Sequence, residues 1–182
     1  MLLAEACQPP SGVSTLALVP GQEVKCQVLD LYSRKHSRVV RSTYAAELLS
    51  LLDAVGQGDF IATAIDEVQC GAATARQLLD RHAECRRAVQ HDAAVDAKAV
   101  FDGVTAEQPK SPAEKQLFLH AVAMREYLEA GHVDRLWWLD TLAMLADGMT
   151  KVSVEREALI KVCQLGIWQV VGMQPIFKQL RS

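Results

Sequence analysis

The stretch 41–55 constrains the fold most, because it combines a marked helix start with an apolar stripe and one acidic side chain. Ser42 or Thr43 can serve as the N-cap, its hydroxyl accepting a hydrogen bond from a backbone N–H of the first turn. Apolar side chains then recur at helical spacing, at Leu48, Leu51, Leu52 and Val55. Glu47 lies at the edge of this stripe. A carboxylate there is costly unless it is paired, hydrogen-bonded or bound to a cation, so Glu47 is the first candidate functional residue.

The composition is ordinary for a soluble globular protein. The 182 residues include 50% hydrophobic and 23% charged side chains, enough for one domain with a sizeable core. A net charge of -3 provides no overall basic field, so any contact with nucleic acid would depend on a local patch. Five cysteines without paired spacing indicate reduced thiols and a cytoplasmic or nuclear location. We expect no membrane partner, because neither a secretory signal nor a membrane-spanning apolar run is visible.

Strand and turn signals dominate the amino-terminal part of the chain. Residues 1–12 have little pattern and are expected to form a disordered lead-in. The stretches 13–19 and 24–32 are rich in strand formers and flank a Pro-Gly turn, which predicts an antiparallel hairpin. Gly56 and Gly58 are then expected to interrupt the helix that follows.

The residues around Asp96 are compatible with two geometries. One is a short buried strand that ends at Asp96, and the other is a continuous helix from Asp92, which propensity favours. Farther along, a long helix should end at Gly131, and the apolar stretch 132–140 predicts a strand inside a sheet. Two more helices should follow, over 141–150 and 153–164, the second stopped by Gly166.

The connection before the Glu47 helix is basic. It carries four cations that suit phosphate groups, namely Arg34, Lys35, Arg38 and Arg41. The alternative is a solvated basic loop, which is what most charge runs are.

Three motifs occur in the order found in the ribonuclease H domain of copia-type retrotransposon polyproteins. Arg41-Ser-Thr-Tyr-Ala-Ala-Glu47 resembles the family's Arg-Ser-Ser-Thr-x-Ala-Glu. Val95-Asp-Ala-Lys-Ala-Val-Phe101 stands where the family has Cys-Asp-Asn-x-x-Ala-Ile. Leu145-Ala-Asp-Gly-Met-Thr-Lys151 resembles Leu-Ala-Asp-x-Leu-Thr-Lys. The resemblance predicts a domain over 13–152, followed by a carboxyl-terminal helix and tail over 153–182.

This resemblance implies an α/β fold with a ribonuclease H-like mixed sheet flanked by helices. It favours a strand that ends at Asp96, with a helix opening on Lys98, and assigns Glu47, Asp96 and Asp147 to three of the family's four active-site carboxylates. In the family such carboxylates hold two Mg²⁺ ions, which activate the attacking water and stabilise the leaving oxygen. The implied substrate is the RNA strand of an RNA–DNA hybrid.

The fourth carboxylate is where the chain departs from the family. The family's first strand carries an Asp, whereas no Asp precedes Asp30 here, so we expect a domain truncated at its amino end. Ala97 also stands where the family usually has Asn. Cleavage is therefore uncertain, and a non-catalytic remnant with at most nucleic-acid binding is the second hypothesis. A helical interaction protein without any sheet is the third.

Each carboxylate also has an ordinary structural interpretation. Glu47 can pair with Arg41, Asp96 can start a helix, and Asp147 can face solvent, as most acidic side chains do.

Two other residue sets predict no site. His82, Cys85 and His91 lack the paired spacing of a zinc site. Trp137 and Trp138 should face opposite sides of their strand and fill core rather than stack on bases.

Overall fold

The computed structural model describes residues 2–4, 21–30, 42–78, 89–107, 115–141, 144–146, 156–169, 176–178 and 180. The protein is mixed α/β. Its strands are β1 (Leu2–Ala4), β2 (Glu23–Lys25), β3 (Gln27–Asp30), β4 (Asp92–Val95), β5 (Arg135–Trp138), β6 (Ile167–Gln169) and β7 (Ile176–Lys178). Its longer helices are α1 (Thr43–Cys70), α2 (Lys98–Thr105), α3 (Lys115–Glu129) and α4 (Glu157–Leu165).

The chain forms two compact units. Unit 1 comprises Met1–Lys35 with Leu139–Ile176, and unit 2 comprises His36–Trp138 with Phe177–Ser182. Of the strands near the two ends of the chain, β1 and β2 pair with β3 and β6, whereas β7 joins β4 and β5 in the central sheet.

In unit 2, α1 begins where the sequence predicts but continues much farther. Ser42 is the N-cap, with its hydroxyl 3.1 Å from the backbone nitrogen of Ala45. The helix runs through Gly56 and Gly58 to end at Gly71, whose φ of 83° favours glycine. The predicted interruption is therefore wrong. Each glycine costs about 1 kcal/mol relative to alanine, whereas burying one large apolar side chain contributes roughly 1.5–3 kcal/mol, so the packed stripe keeps the helix intact.

The central sheet of unit 2 decides between the two geometries considered for Asp96. β4 pairs in parallel with β5, and β7 lies on the other side of β5. β4 ends at Val95 and α2 begins at Lys98. The strand ending at Asp96 is thus confirmed, and so is the central strand predicted within 132–140.

Helices cover one face of this sheet. Alternation along the strands puts Val95 and Leu136 on that face, and both belong to the core. Val133, just before β5, also belongs to the cluster, and the helices contribute its other members, Leu48, Leu51, Val55, Val100, Phe101, Val104, Ala121, Met124 and Leu128. Trp137 and Trp138 have opposite faces, as predicted: Trp138 packs against this core, and the Trp137 indole reaches Asp92 on the other face.

Unit 1 holds two small antiparallel sheets. β2 pairs with β6, and β3 pairs with β1. The stretch predicted to be a disordered lead-in thus contains β1, because its backbone finds a partner in β3. The other half of the predicted hairpin, 13–19, lies outside the described residues.

Two further expectations concern unit 1. α4 ends at Gly166 as predicted, with a φ of 64°. Of the helix predicted over 141–150, the described residues are Thr141, which is in a 3-10 conformation, and 144–146, of which 145 and 146 form a turn.

The described strands test two predictions about the whole fold, that it has no sheet and that it has one mixed sheet. The third hypothesis, a helical protein without a sheet, is wrong, because β2, β3 and β5 form where it required helix. The described strands form three separate sheets rather than one mixed sheet, because β2 and β3 find partners in β6 and β1.

The length of α1 also changes one expectation. By length and composition it is apolar enough to cross a membrane, a property that buried helices of soluble proteins share. The sequence pattern suggested no such run, because it divided the helix at its glycines.

Candidate functional site

Asp96 occupies the link between β4 and α2. It is partly buried, and its backbone carbonyl accepts a hydrogen bond of 3.0 Å from Nε1 of Trp138 at the end of β5. The Lys98 ammonium lies 4.9 Å from the centroid of the Trp138 ring and 3.2 Å from Oδ1 of Asp102. Tryptophan therefore fixes the backbone of Asp96 against the neighbouring strand and holds a cation two residues away.

Glu47 lies on the second turn of α1 and is partly buried. One turn earlier, the Tyr44 hydroxyl packs on α2, where a Cβ at Gly103 would lie 2.8 Å from it. Burial raises the pKa of Tyr44. The start of α1 therefore packs closely on the helix that follows Asp96.

The middle of α1 lies near the amino end of β5. Oδ1 of Asp59 is 3.8 Å from Nδ1 of His132, which precedes the first residue of β5. Glu47 is about 18 Å from Asp59 along the helix, at about 1.5 Å per residue. Because Asp59 is near the amino end of β5, Glu47 lies farther from the amino ends of the strands than Asp59 does.

The other predicted site residues are not among those described. Asp147 lies outside them, and so do the four cations Arg34, Lys35, Arg38 and Arg41. Glu47 and Asp96 are oxygen ligands of the type that Mg²⁺ prefers. Within the described ranges, no three His, Cys, Asp or Glu side chains are grouped so as to hold a metal ion.

The structure reveals a polar cluster that sequence reasoning missed, at the amino edge of β4 and β5. Arg135 is 7% exposed and directs two nitrogens to Asp92, with Nη2 2.7 Å and Nε 2.9 Å from Oδ2. Nε1 of Trp137 donates to the same oxygen at 2.9 Å. The guanidinium carbon lies 5.1 Å from the centroid of the Trp137 ring. One carboxylate thus joins the two strands through charge-assisted hydrogen bonds.

A second set of contacts fastens the same edge. The backbone N–H of His91 donates to Oδ2 of Asp134 at 2.8 Å, and the N–H of Asp134 donates to the His91 carbonyl at 2.7 Å. Nδ1 of the buried His91 donates to the carbonyl of His132 at 2.7 Å. His91 is therefore engaged in contacts at the ends of the strands.

We interpret this amino-edge cluster as structural. Its polar atoms are engaged with one another, and ligands of open α/β sheets bind beyond the carboxyl ends of the strands. The sequence contained a weak signal, because a charged residue opens each of two strands whose other residues are apolar. Only the register, which sets Asp92 opposite Arg135, shows that they meet.

Comparisons with known proteins give no match: no protein-family model, no curated protein and no solved structure matches the chain. Functional inference therefore depends on the motifs and on the geometry of unit 2.

Proposed function

We propose that this chain is a ribonuclease H-like domain, related to those of copia-type retrotransposon polyproteins, that binds RNA–DNA hybrids. The observation that carries the proposal is the position of Asp96. It follows β4 directly, beside the parallel strand β5, and precedes α2. Helix propensity favoured a continuous helix there, whereas the motif required a strand, a break at the aspartate and a new helix. The observed elements agree with the motif.

The direction of α1 supports the same proposal. Its start packs on α2 and its middle reaches the amino edge, so Glu47 lies toward the carboxyl end of β4. The motifs assign the two carboxylates on these elements, Glu47 and Asp96, to two of the family's active-site positions. Asp147 and the basic connection are proposed from the motifs alone.

The fit to a pair of Mg²⁺ ions is partial. When bound, such ions would supply activation of water and stabilisation of the leaving oxygen, and Glu47, Asp96 and Asp147 are the residues that would hold them. Among these 182 residues the first aspartate is Asp30, which ends β3 in unit 1. Ala97, which stands where the family usually has Asn beside the aspartate, favours the second candidate function, binding of the hybrid without efficient cleavage.

Binding is tested by fluorescence anisotropy with a labelled RNA–DNA hybrid at several salt concentrations. Alanine substitutions of Arg34, Lys35 and Arg38 should weaken binding and reduce the salt slope by about 0.9 for each phosphate that is no longer neutralised. Alanine at the exposed cations Arg76 and Lys115 is the matched control and should leave the slope unchanged. Equal slopes for the two sets of variants, or no binding at all, would contradict the proposal.

Cleavage is tested with the same hybrid in Mg²⁺ on a denaturing gel. We expect little cleavage by these 182 residues alone, because they supply three of the four carboxylates that the resemblance implies, and each tenfold decrease in rate corresponds to about 1.4 kcal/mol of barrier. Any cleavage should disappear in Asp96→Asn and Glu47→Gln and persist in Asp53→Asn, a change of an exposed carboxylate on α1. Cleavage that survives Asp96→Asn would show that the proposed site is wrong. Binding without cleavage would select the non-catalytic function.

A further inference from the structure

Two cysteines of unit 1 lie on elements that are joined backbone to backbone. Cys26 separates β2 from β3, and its N–H donates to the carbonyl of Gly166 at 2.8 Å. Gly166 ends α4, and a Cβ there would lie 3.0 Å from the carbonyl oxygen of Cys26. The strand junction and the end of the helix are therefore in direct contact.

Cys163 lies in the last turn of α4, three residues before Gly166, and is exposed. Paired residues of antiparallel chains have Cα atoms about 5.5 Å apart, and residues three apart on a helix have Cβ atoms about 5–6 Å apart. Cys163 therefore lies about one helical turn from the residue whose carbonyl is hydrogen-bonded to Cys26, and a disulfide between the two cysteines needs Cα atoms roughly 4.4–6.8 Å apart. α4 also packs against β3, the strand that follows Cys26.

The electrostatics agree with this proximity. Burial raises the pKa of the Cys26 thiol, and the thiolate of Cys163 raises it further. Cys26 is therefore a poor first target for an oxidant, whereas Cys163 is open to solvent.

We propose that Cys26 and Cys163 form a redox-sensitive pair that hydrogen peroxide converts into an intramolecular disulfide. The Cys163 thiolate attacks one peroxide oxygen, the O–O bond breaks, and a sulfenic acid forms with release of water. The Cys26 thiolate then attacks the sulfenic sulfur, the S–S bond forms, and the hydroxyl leaves as a second water. Two thiols lose two electrons and two protons, and one peroxide becomes two waters. The inference is independent of the proposed function.

The test treats the full chain with equimolar hydrogen peroxide, blocks remaining thiols with iodoacetamide and maps peptides by mass spectrometry. We expect a Cys26–Cys163 linked peptide as the main disulfide, which dithiothreitol should reduce again. Because this measurement uses the unaltered chain, it does not depend on the folding of a variant. A main disulfide that involves any other pair, or no disulfide, would overturn the proposal.

A variant series tests the order of the two steps. In Cys26→Ser, the sulfenic acid on Cys163 should persist and be trapped by dimedone at least tenfold more than in the unaltered chain. Cys70→Ser is the matched control, because Cys70 is exposed but lies in unit 2, and it should leave the linked peptide unchanged. Equal dimedone labelling of Cys163 with and without Cys26 would show that Cys26 does not resolve the intermediate.

Discussion

Replacing Asp92 with alanine should destabilise unit 2 by about 3 kcal/mol. The carboxylate accepts hydrogen bonds from two nitrogens of Arg135 and from the indole N–H of Trp137. Removing one partner of a buried ion pair costs about 3–5 kcal/mol, because the remaining charge has been taken out of water. We expect the lower end of this range, since 27% of the Asp92 side chain is exposed whereas Arg135 is buried.

A double variant distinguishes the cost of leaving Arg135 without its partner from the net contribution of the Asp92–Arg135 ion pair to stability. Replacing both residues, as Asp92→Leu with Arg135→Met, should restore most of the stability, because apolar side chains carry no uncompensated charge. Asp102→Ala is the control: its ion pair with Lys98 is exposed on both sides, and such pairs contribute only about 0.3–0.5 kcal/mol.

The assay is urea unfolding followed by tryptophan fluorescence. A Trp168→Phe background removes the indole of β6 in unit 1, so that Trp137 and Trp138 report on unit 2. The free energy of unfolding is obtained by linear extrapolation, with the slope against urea compared between variants. A cost of less than about 1 kcal/mol for Asp92→Ala, the range of an exposed pair, would refute the role of burial at this edge. The same role would be refuted if the double variant Asp92→Leu with Arg135→Met lost as much stability as the sum of the losses in its two single variants.

Three further changes test local features of the structure. Ser42→Ala should lower the free energy of unfolding by about 1 kcal/mol, because α1 is deprived of its capping hydroxyl, and an unaltered urea midpoint would contradict this cap. Gly103→Ala should stabilise α2 by up to about 1 kcal/mol when Tyr44 is replaced by Phe, but not when Tyr44 is present, because the new methyl group would lie 2.8 Å from the Tyr44 hydroxyl and 3.6 Å from its ring. Equal effects of Gly103→Ala with Tyr44 and with Phe at position 44 would rule out this contact. Alkylation of Cys26 should rise with pH at a higher midpoint in the folded chain than in urea, because burial and the Cys163 thiolate raise its pKa, and coincident midpoints would exclude that environment.

Local signals identified several elements correctly. The hydroxyl of Ser42 and the apolar repeat after it marked the start of α1, and Gly166 marked the end of α4. These features depend on backbone groups within one helical turn, so the residues nearby carry the information. The break at Asp96 is different, because propensity favoured a helix and only the motif indicated the strand.

Other features depended on partners far away in the chain. The glycines of α1 predicted an interruption, but the packing of Leu48, Leu51 and Val55 in the core outweighs their helix propensity. β1 forms within a stretch that has no strand pattern, because β3 supplies its hydrogen bonds.

The sequence by itself determined where α1 starts and where α4 stops, because capping acts over a few residues. Tertiary structure alone decided the sheet partners, the two compact units and the meeting of Asp92 with Arg135. The physical reason is register. A strand presents the same row of backbone donors and acceptors to any partner, and the choice among partners is made by burial of side chains distant in sequence.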